Sequence, residues 1–180
     1  MRIISGKRKG RKIKAPFLEE IRPTTDFAKT GLFNILNNHI EFENIAVLDL
    51  FSGFGNIAFE FASRGARFVD AIDTHPQAIK FIKKFSETTE LPVHSHQSDA
   101  LQFIQKVQQK YDIIFADPPY QSSELLPQIL EIILQRDLLN ENGIIILEHD
   151  KDTSFEAHPL LFDTRKYGKV HFSFFRKEKK

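Results

Sequence analysis

Asp117-Pro118-Pro119-Tyr120 closes the apolar run Tyr111-Asp-Ile-Ile-Phe-Ala116, and these four residues carry the most evident chemistry in the chain. A short run rich in β-branched and aromatic residues is expected to form a buried parallel strand. Two prolines then end it, since neither can donate a ladder hydrogen bond and both fix φ. The result is a stiff loop at the carboxyl end of a strand, where open α/β sheets hold their ligands. It offers a carboxylate, an aromatic ring and backbone carbonyls with no competing N–H at two positions. Such a set suits a planar group with an exocyclic amine, such as a nucleobase. An ordinary turn with a capping Asp and a surface Tyr would use the same residues, so the motif needs support from elsewhere.

A second cluster gives that support. Asp49-Leu50-Phe51-Ser52-Gly53-Phe54-Gly55-Asn56-Ile57-Ala58 continues an apolar run that begins at Ala46. Paired glycines after a first strand let the chain turn tightly and let a ligand approach the backbone. The following helix aims its positive end at that ligand. The second strand ends at Asp73, where a carboxylate can receive two ribose hydroxyls. Asp99-Ala100 follows the third strand, placed for the amino group of an adenine. These features imply an adenosine-containing cofactor with Asp49, Phe51, Ser52, Gly53, Gly55, Asp73, Asp99 and Ala100 at its site.

Two cofactor classes share that layout. Gly53-x-Gly55-x-x-Ala58 also satisfies the dinucleotide fingerprint, so a nicotinamide oxidoreductase is one reading. Asp49 lies inside the strand ahead of the glycines, which suits an amino-acid ammonium rather than a pyrophosphate. The oxidoreductase reading also leaves Asp117–Tyr120 without a role. S-adenosylmethionine is therefore the expected cofactor, and methyl transfer to an amine the expected reaction.

Other titratable groups carry less. His94-Ser-His96 could place two imidazoles on one strand face, but no third ligand lies nearby, so no metal is expected. His75 before Pro76 reads as a helix cap or an edge of the cofactor pocket. Glu148-His149-Asp150 ends a strand and resembles part of a triad, yet no suitable Ser nucleophile is evident, so structural roles are expected.

The elements that must position these groups alternate along the chain. Strands are expected at Ala46–Phe51, Arg67–Ile72, Pro92–His96, Tyr111–Ala116 and Gly143–Leu147. Helices are expected at Asn56–Ser63, Pro76–Ser86, Asp99–Lys110 and near 123–135. Strands separated by helical patterns mean βαβ units and a parallel sheet. Leu161–Tyr167 and Lys169–Arg176 are strand-like runs around Gly168 with no helix between, so the sheet should finish in an antiparallel hairpin. Ahead of the first strand, Asp26 to about His39 reads as a helix capped by Thr24, Thr25 or Asp26, with Phe27, Leu32, Ile35 and Leu36 on its apolar face. Gly31 inside it costs about 1 kcal/mol relative to Ala, which marks either a packing need or the approach of something bulky.

Composition bounds the partners. The formal net charge is only +1, but residues 1–16 hold seven bases and no acid, and residues 165–180 hold seven bases against Glu178. The remaining 11 bases and 23 acids lie between them. Basic ends on an acidic body suggest local contact with a polyanion. Lys7-Arg8-Lys9-Gly10-Arg11-Lys12 reads as a basic hairpin between strands Arg2–Ser5 and Arg11–Lys14 rather than a loose tail. With no cysteine, disulfides, thiolate metal sites and Cys nucleophiles are excluded. No apolar run approaches the ~18 residues of a membrane helix, and the N-terminus lacks an apolar signal core. One domain over residues 1–180, a cytoplasmic location and no membrane partner are expected.

Val47-Leu-Asp-Leu-Phe-Ser-Gly-Phe-Gly55, Arg22-Pro-Thr-Thr-Asp26, Leu32-Phe-Asn34, Ser63-Arg-Gly-Ala66 and Asp117-Pro-Pro-Tyr120 together resemble the RsmD family of bacterial 16S ribosomal RNA guanine-N2 methyltransferases. The opening Met1–Lys7 and the Tyr167-Gly168 turn are similar to that family's start and final hairpin. The resemblance spans nearly the whole chain, and its N-terminal part discriminates best, since Asp-Pro-Pro-Tyr also occurs in adenine methyltransferases. It implies a Rossmann-like seven-stranded methyltransferase sheet with a small basic N-terminal hairpin. It implies catalysis at Asp117, Pro118, Pro119 and Tyr120. A monomer is expected, with Lys7, Arg8, Lys9, Arg11, Lys12, Arg22 and Thr24 contacting ribosomal RNA, and the resemblance favours a small-subunit assembly intermediate as the substrate. An adenine-N6 methyltransferase and a non-catalytic RNA-binding assembly factor remain as alternatives. The chain departs from the family pattern at Asp73 (usually Glu), at Phe54 (usually small) and near Phe85 (usually Asn).

Overall fold

Near-continuous apolar runs form the centre of one sheet, because a strand covered on both faces has no polar side to present. The computed structural model describes residues 1–18, 24–119, 122 and 124–177. Along it run α1 (Asp26–Leu36), β1 (Ala46–Asp49), α2 (Asn56–Ser63), β2 (Phe68–Asp73), α3 (Pro76–Thr89) and β3 (Val93–Gln97). The second half contributes α4 (Ala100–Lys106), β4 (Tyr111–Ala116), α5 (Leu125–Gln135), β5 (Leu139–His149), β6 (Leu161–Tyr167) and β7 (Val170–Phe175). The seven strands are ordered β3-β2-β1-β4-β5-β7-β6. β1 to β5 pair in parallel, and β7 pairs antiparallel with β5 and β6. This is the expected parallel sheet closed by an antiparallel hairpin.

Alternation along each strand divides the core. Val47, Val69, Ile113, Phe115 and Ile146 face one side, packed with α1, α2 and the N-terminal residues Ile3 and Ile13. Leu48, Ile72, Ile114, Ile145 and Leu147 face the other, under residues of α4 and α5.

Element ends differ from the sequence reading where polar chemistry takes over. α1 stops at Leu36 rather than about His39, and α4 stops at Lys106 because Val107 is extended. Thr25 supplies the cap of α1, its hydroxyl accepting from the N–H of Ala28. Phe27 is not on the buried face: it is 69% exposed. Gly31 marks a close approach, since a Cβ there would lie 2.2 Å from the Tyr167 ring. That contact seats α1 against the β6–β7 turn.

The N-terminal segment is a hairpin held less by its own ladder than by α2. Its strands reduce to one antiparallel bridge, Arg2 to Lys12, and the turn spans Ser5–Gly10. Glu60, fully buried on α2, accepts from the N–H groups of Ile4 at 2.7 Å and Ser5 at 3.0 Å. Its carboxylate also receives Arg64 Nε at 2.8 Å and lies 3.7 Å from the buried Lys29 ammonium of α1. Lys29 in turn donates to the Arg2 carbonyl at 2.6 Å and to Asn56 Oδ1 at 2.8 Å.

The two ends of this ion pair are unequal. Lys29→Met leaves Glu60 with three N–H donors, whereas Glu60→Ala leaves Lys29 buried beside Arg64 with only the more distant Asp26 as counter-charge. Urea denaturation should show a loss of about 3–5 kcal/mol for Glu60→Ala and a smaller loss for Lys29→Met. In Glu60→Ala the amides of Ile4 and Ser5 should also exchange faster. Equal losses for the two variants would refute this account.

Candidate active site

The strand order reverses between β1 and β4, and open α/β sheets bind ligands outside the carboxyl ends at such a point. β1 ends at Asp49, opposite Phe115 of β4. The last β4–β5 pair is Ala116 with Leu147, so one step further sets Asp117 beside Glu148. Asp49, Asp117 and Glu148 each lie two residues past a side chain of the α1–α2 face, so all three share that face. Three carboxyl groups thus converge at the switch point.

Burial governs their charge. Asp49 is 1% exposed, and among the described residues neither of its carboxylate oxygens has a hydrogen-bond partner. Desolvation pushes its pKa up to about 7, opposed by the nearby Ser52 hydroxyl and the Phe51 and Ala58 N–H groups and reinforced by the Asp73 charge. Glu148 is also raised to about 7, mainly by burial, and its Oε2 accepts from the Thr24 hydroxyl at 3.2 Å. Asp117 is half-buried, and desolvation together with the charges of Glu148 and Asp49 holds it well above the usual carboxylate range.

The glycine turn is bolted to β2 and α3. Gly53 and Gly55 have φ of 50° and 82°, which strains any residue with a side chain. Asp73 Oδ2 accepts from the Gly53 N–H at 2.8 Å, and Oδ1 from the His75 N–H at 2.8 Å. Ser52 is buried and its hydroxyl donates to the Asp49 backbone carbonyl at 2.9 Å. Phe51 is half-buried beside the turn. Asp99 is exposed and caps α4 through one oxygen, while Ala100 opens that helix and is buried.

Thr24 and Asn56 join the entry of α1 to this turn. Asn56 Nδ2 donates to the Thr24 carbonyl at 2.8 Å, and its Oδ1 receives Lys29. The entry of α1 and the glycine turn are thereby linked to the Lys29–Glu60 pair. In the loop after β4, Pro118 is buried and Pro119 exposed. Tyr120 and Arg22 lie outside the described residues.

The basic hairpin separates into two kinds of residue. Lys7, Lys9, Arg11 and Lys12 are exposed and form no ion pair among the described residues. Arg8 is an anchor: its guanidinium donates to the Thr89 carbonyl at 2.6 Å and to Glu90 at 2.9 Å.

Glu148 is the site residue that sequence reasoning missed. A carboxylate at the end of each of three central strands was the available signal, but the register that aligns them was not. Its neighbour His149 does meet a serine, with Nε2 2.8 Å from Ser173 Oγ. Ser173 is 1% exposed, so the pair braces β5 against β7 rather than reaching a substrate. His94 and His96 both face Asp70, at 3.6 and 2.9 Å. Asp70 is also bonded by the Tyr111 hydroxyl, and no metal-binding group of three such side chains occurs among the described residues. His75 caps α3, accepting from the Gln77 N–H. No helix of the described residues is long and apolar enough to cross a membrane.

A glycine turn after β1, an acid ending β2, Asp-Pro-Pro after β4 and a closing antiparallel hairpin define a Rossmann-like methyltransferase. Comparison with known proteins narrows this. The model of the family described as "Conserved hypothetical protein 95" matches residues 1–176, and the chain belongs to that family. YlbH of Bacillus subtilis is 35% identical, covering 98% of this chain and 99% of its own. Ribosomal RNA small subunit methyltransferase D of Buchnera aphidicola subsp. Baizongia pistaciae is 31% identical, covering 97% and 91%. The solved structure of yhhF from Escherichia coli superposes with a TM-score of 0.87 at 25% identity, over 99% of this chain and 98% of that one.

The carboxyl trio has a stability signature. For a carboxyl raised to about 7, folding is favoured below the unfolded pKa of about 4, and that contribution is lost as pH rises from about 4 through about 7. Asp49→Asn should therefore stabilise the ligand-free chain by on the order of a few kcal/mol at pH ~8. The gain should shrink steadily as pH is lowered toward ~4. Thermal unfolding across that range checks this, and a gain independent of pH would exclude it.

Proposed function

We propose that this chain transfers a methyl group from S-adenosylmethionine to the exocyclic N2 of a guanine in small-subunit ribosomal RNA. Methyl transfer to RNA is supported by the names of its Bacillus and Buchnera relatives, which are called rRNA methyltransferases. The choice of guanine rests on one observation, the side-by-side placement of Asp117 and Glu148. Guanine presents two adjacent donors, N1–H and N2–H, and two carboxylates are acceptors when ionised. Adenine presents an acceptor at N1 beside its amine, which would face the lone pairs of Glu148 once the cationic cofactor has favoured its ionised form. The adenine-N6 alternative is disfavoured for that reason. A non-catalytic assembly factor would have no use for a buried, unpartnered Asp49 kept at a cost in stability.

The donor set fits the cofactor. The two unpartnered oxygens of Asp49 suit an ammonium group, and they lie beside the glycine turn. Asp73, held rigid by two backbone N–H groups, keeps lone pairs for the ribose hydroxyls. Ala100 and the free oxygen of Asp99 border the position for the adenine. Phe51, Ser52, Gly53 and Gly55 shape the wall between. When bound, S-adenosylmethionine supplies an electrophilic methyl group on a positively charged sulfur.

The chain's own residues then position the amine. Asp117 and the Pro118 carbonyl accept the two N2 hydrogens and turn the nitrogen lone pair toward the methyl group. The amine gains the methyl and gives up one proton, which Asp117 is suited to take because its surroundings disfavour its charge. Positioning accounts for most of the acceleration. Thr24 fixes one oxygen of Glu148 and leaves the other for guanine N1–H. Tyr120, outside the described residues, is assigned to stack on the base turned out of its helix. Lys7, Lys9, Arg11 and Lys12 grip phosphates, with Arg22 assigned to the same path, while Arg8 holds the hairpin in place. We place this monomeric enzyme in the cytoplasm, acting on a partly assembled subunit.

Methyl transfer from labelled cofactor to RNA of cells lacking the protein, with nucleoside identification, tests the reading. The wild type should yield N2-methylguanosine. Asp117→Ala should abolish turnover with cofactor affinity changed only a few-fold, and Glu148→Gln should cost at least tenfold in transfer to guanine. N6-methyladenosine as product, or an active Asp117→Ala variant, would overturn it.

The hairpin can be tested separately. Replacing Lys7, Lys9, Arg11 and Lys12 by Ala should lower the slope of log affinity against log salt by about 0.7 for each phosphate of a single-stranded RNA that is no longer neutralised. Arg8→Ala should instead lower the melting temperature. An unchanged slope in the fourfold variant would remove the hairpin from the RNA path.

A further inference from the structure

We infer that a groove between the hairpin and α3 is a binding site for an unpaired stretch of the substrate RNA. It holds about 350 Å³ and is lined by Lys14, Phe81, Lys84, Phe85 and Thr88. The inference deepens the reading above and rests on it.

The α3 residues are spaced i, i+3, i+4 and i+7, so they form one stripe along the helix. Phe81 and Phe85 lie almost parallel, with centroids 5.8 Å apart and 22° between planes. Both are half-buried. Each is braced from behind: Phe81 edge-on by Phe54 at 5.4 Å, and Phe85 by Phe59 at 4.5 Å. Phe54 and Phe85 therefore belong to one aromatic stack joined through Phe81.

The ends of the stripe give the groove its direction. At one end Phe81 touches Phe54, which stands between the two glycines of the cofactor turn. At the other, next to Thr88, the Thr89 carbonyl and Glu90 hold Arg8 of the hairpin tip. The groove thus runs from the basic tip toward the candidate active site. Lys14 and Lys84 flank the aromatic wall, and neither Glu87 nor Glu90 lines it.

Flat rings between ammonium groups suit bases stacked in sequence with phosphates alongside, the arrangement by which single strands are held without a sequence preference. The volume is at the lower end for small-ligand sites, which fits an unpaired nucleotide rather than a duplex.

Fluorescence anisotropy with a short labelled single-stranded RNA tests this. Lys14→Glu combined with Lys84→Glu should weaken binding at least tenfold and flatten the salt dependence. Phe85→Leu, which keeps the packing on Phe59 but removes the ring, should weaken binding several-fold at unchanged salt slope. Wild-type affinity in either variant overturns the groove, even where the wild type methylates ribosomal RNA and the function reading stands. Vesicles of phosphatidylglycerol form a second arm. Binding to them that the lysine variant loses, with RNA binding intact, would identify a lipid-facing groove and overturn the inference.

Discussion

The buried pair of Lys29 and Glu60 is the interaction on which the rest of the arrangement depends. An ion pair removed from water returns its desolvation cost only when further hydrogen bonds use its remaining valences. Here they do: Glu60 takes two hairpin N–H groups and Arg64, and Lys29 takes the Arg2 carbonyl and Asn56. Burial pushes the Lys29 pKa down, and the Glu60 charge opposes that. One pair therefore joins the hairpin, α1 and α2 through groups that have no alternative partner in the core. Through Asn56 and Thr24 the same chain of contacts reaches Glu148. The hairpin and the carboxyl cluster are two ends of a single polar network.

That network also explains how the cluster is tolerated. Three carboxyls on one face at a switch point are mutually repulsive and poorly solvated, so the ligand-free site holds protons near neutrality. A cationic ligand reverses the balance, since its positive charge favours the ionised acids and releases protons to solvent. The site is thus less stable than an apolar core of the same size would be, and a cation stabilises it selectively. Nearby buried polar groups that lack this function are satisfied instead: Asp70 takes His96 and Tyr111, and Ser173 takes His149. Among the described residues the other buried side-chain atoms without a partner are His171 Nε2 and Arg176 Nε, so Asp49 stands out as the one carboxyl group in that state.

Most of the fold was legible because it depends on short-range pattern. β4 and β6 are bounded as their apolar and turn residues suggest, and α2 starts directly after Gly55 and ends at Ser63. The Asp117 loop and the glycine turn were legible for the same reason, being local signals at strand ends. What was not legible depends on register or on long-range partners. Glu148 becomes a site residue only when β4 and β5 align. Arg8 looked like its basic neighbours, and only the position of Thr89 and Glu90 sets it apart. Phe27 fits a helical apolar face by spacing, yet α1 turns its other side to the sheet and leaves Phe27 edge-on to Tyr167 at 5.6 Å.

Strand parity then decides from which side a large substrate arrives. Asp49, Asp117 and Glu148 share the face covered by α1, α2, α3 and the hairpin, whereas α4 and α5 cover the opposite one. A side chain at the end of a strand serves ligands on its own face of the sheet. A base delivered from the α4–α5 side would meet Leu50, Ala116 and Leu147, which are apolar and buried. On the hairpin side, the face that carries the carboxylates also carries the α3 stripe and the hairpin, so the RNA contacts proposed above lie on that face. Charge, stacking surface and hydrogen-bond acceptors therefore share one face of the sheet. A one-residue shift in the register of β4 would turn Asp117 to the other face and break that arrangement.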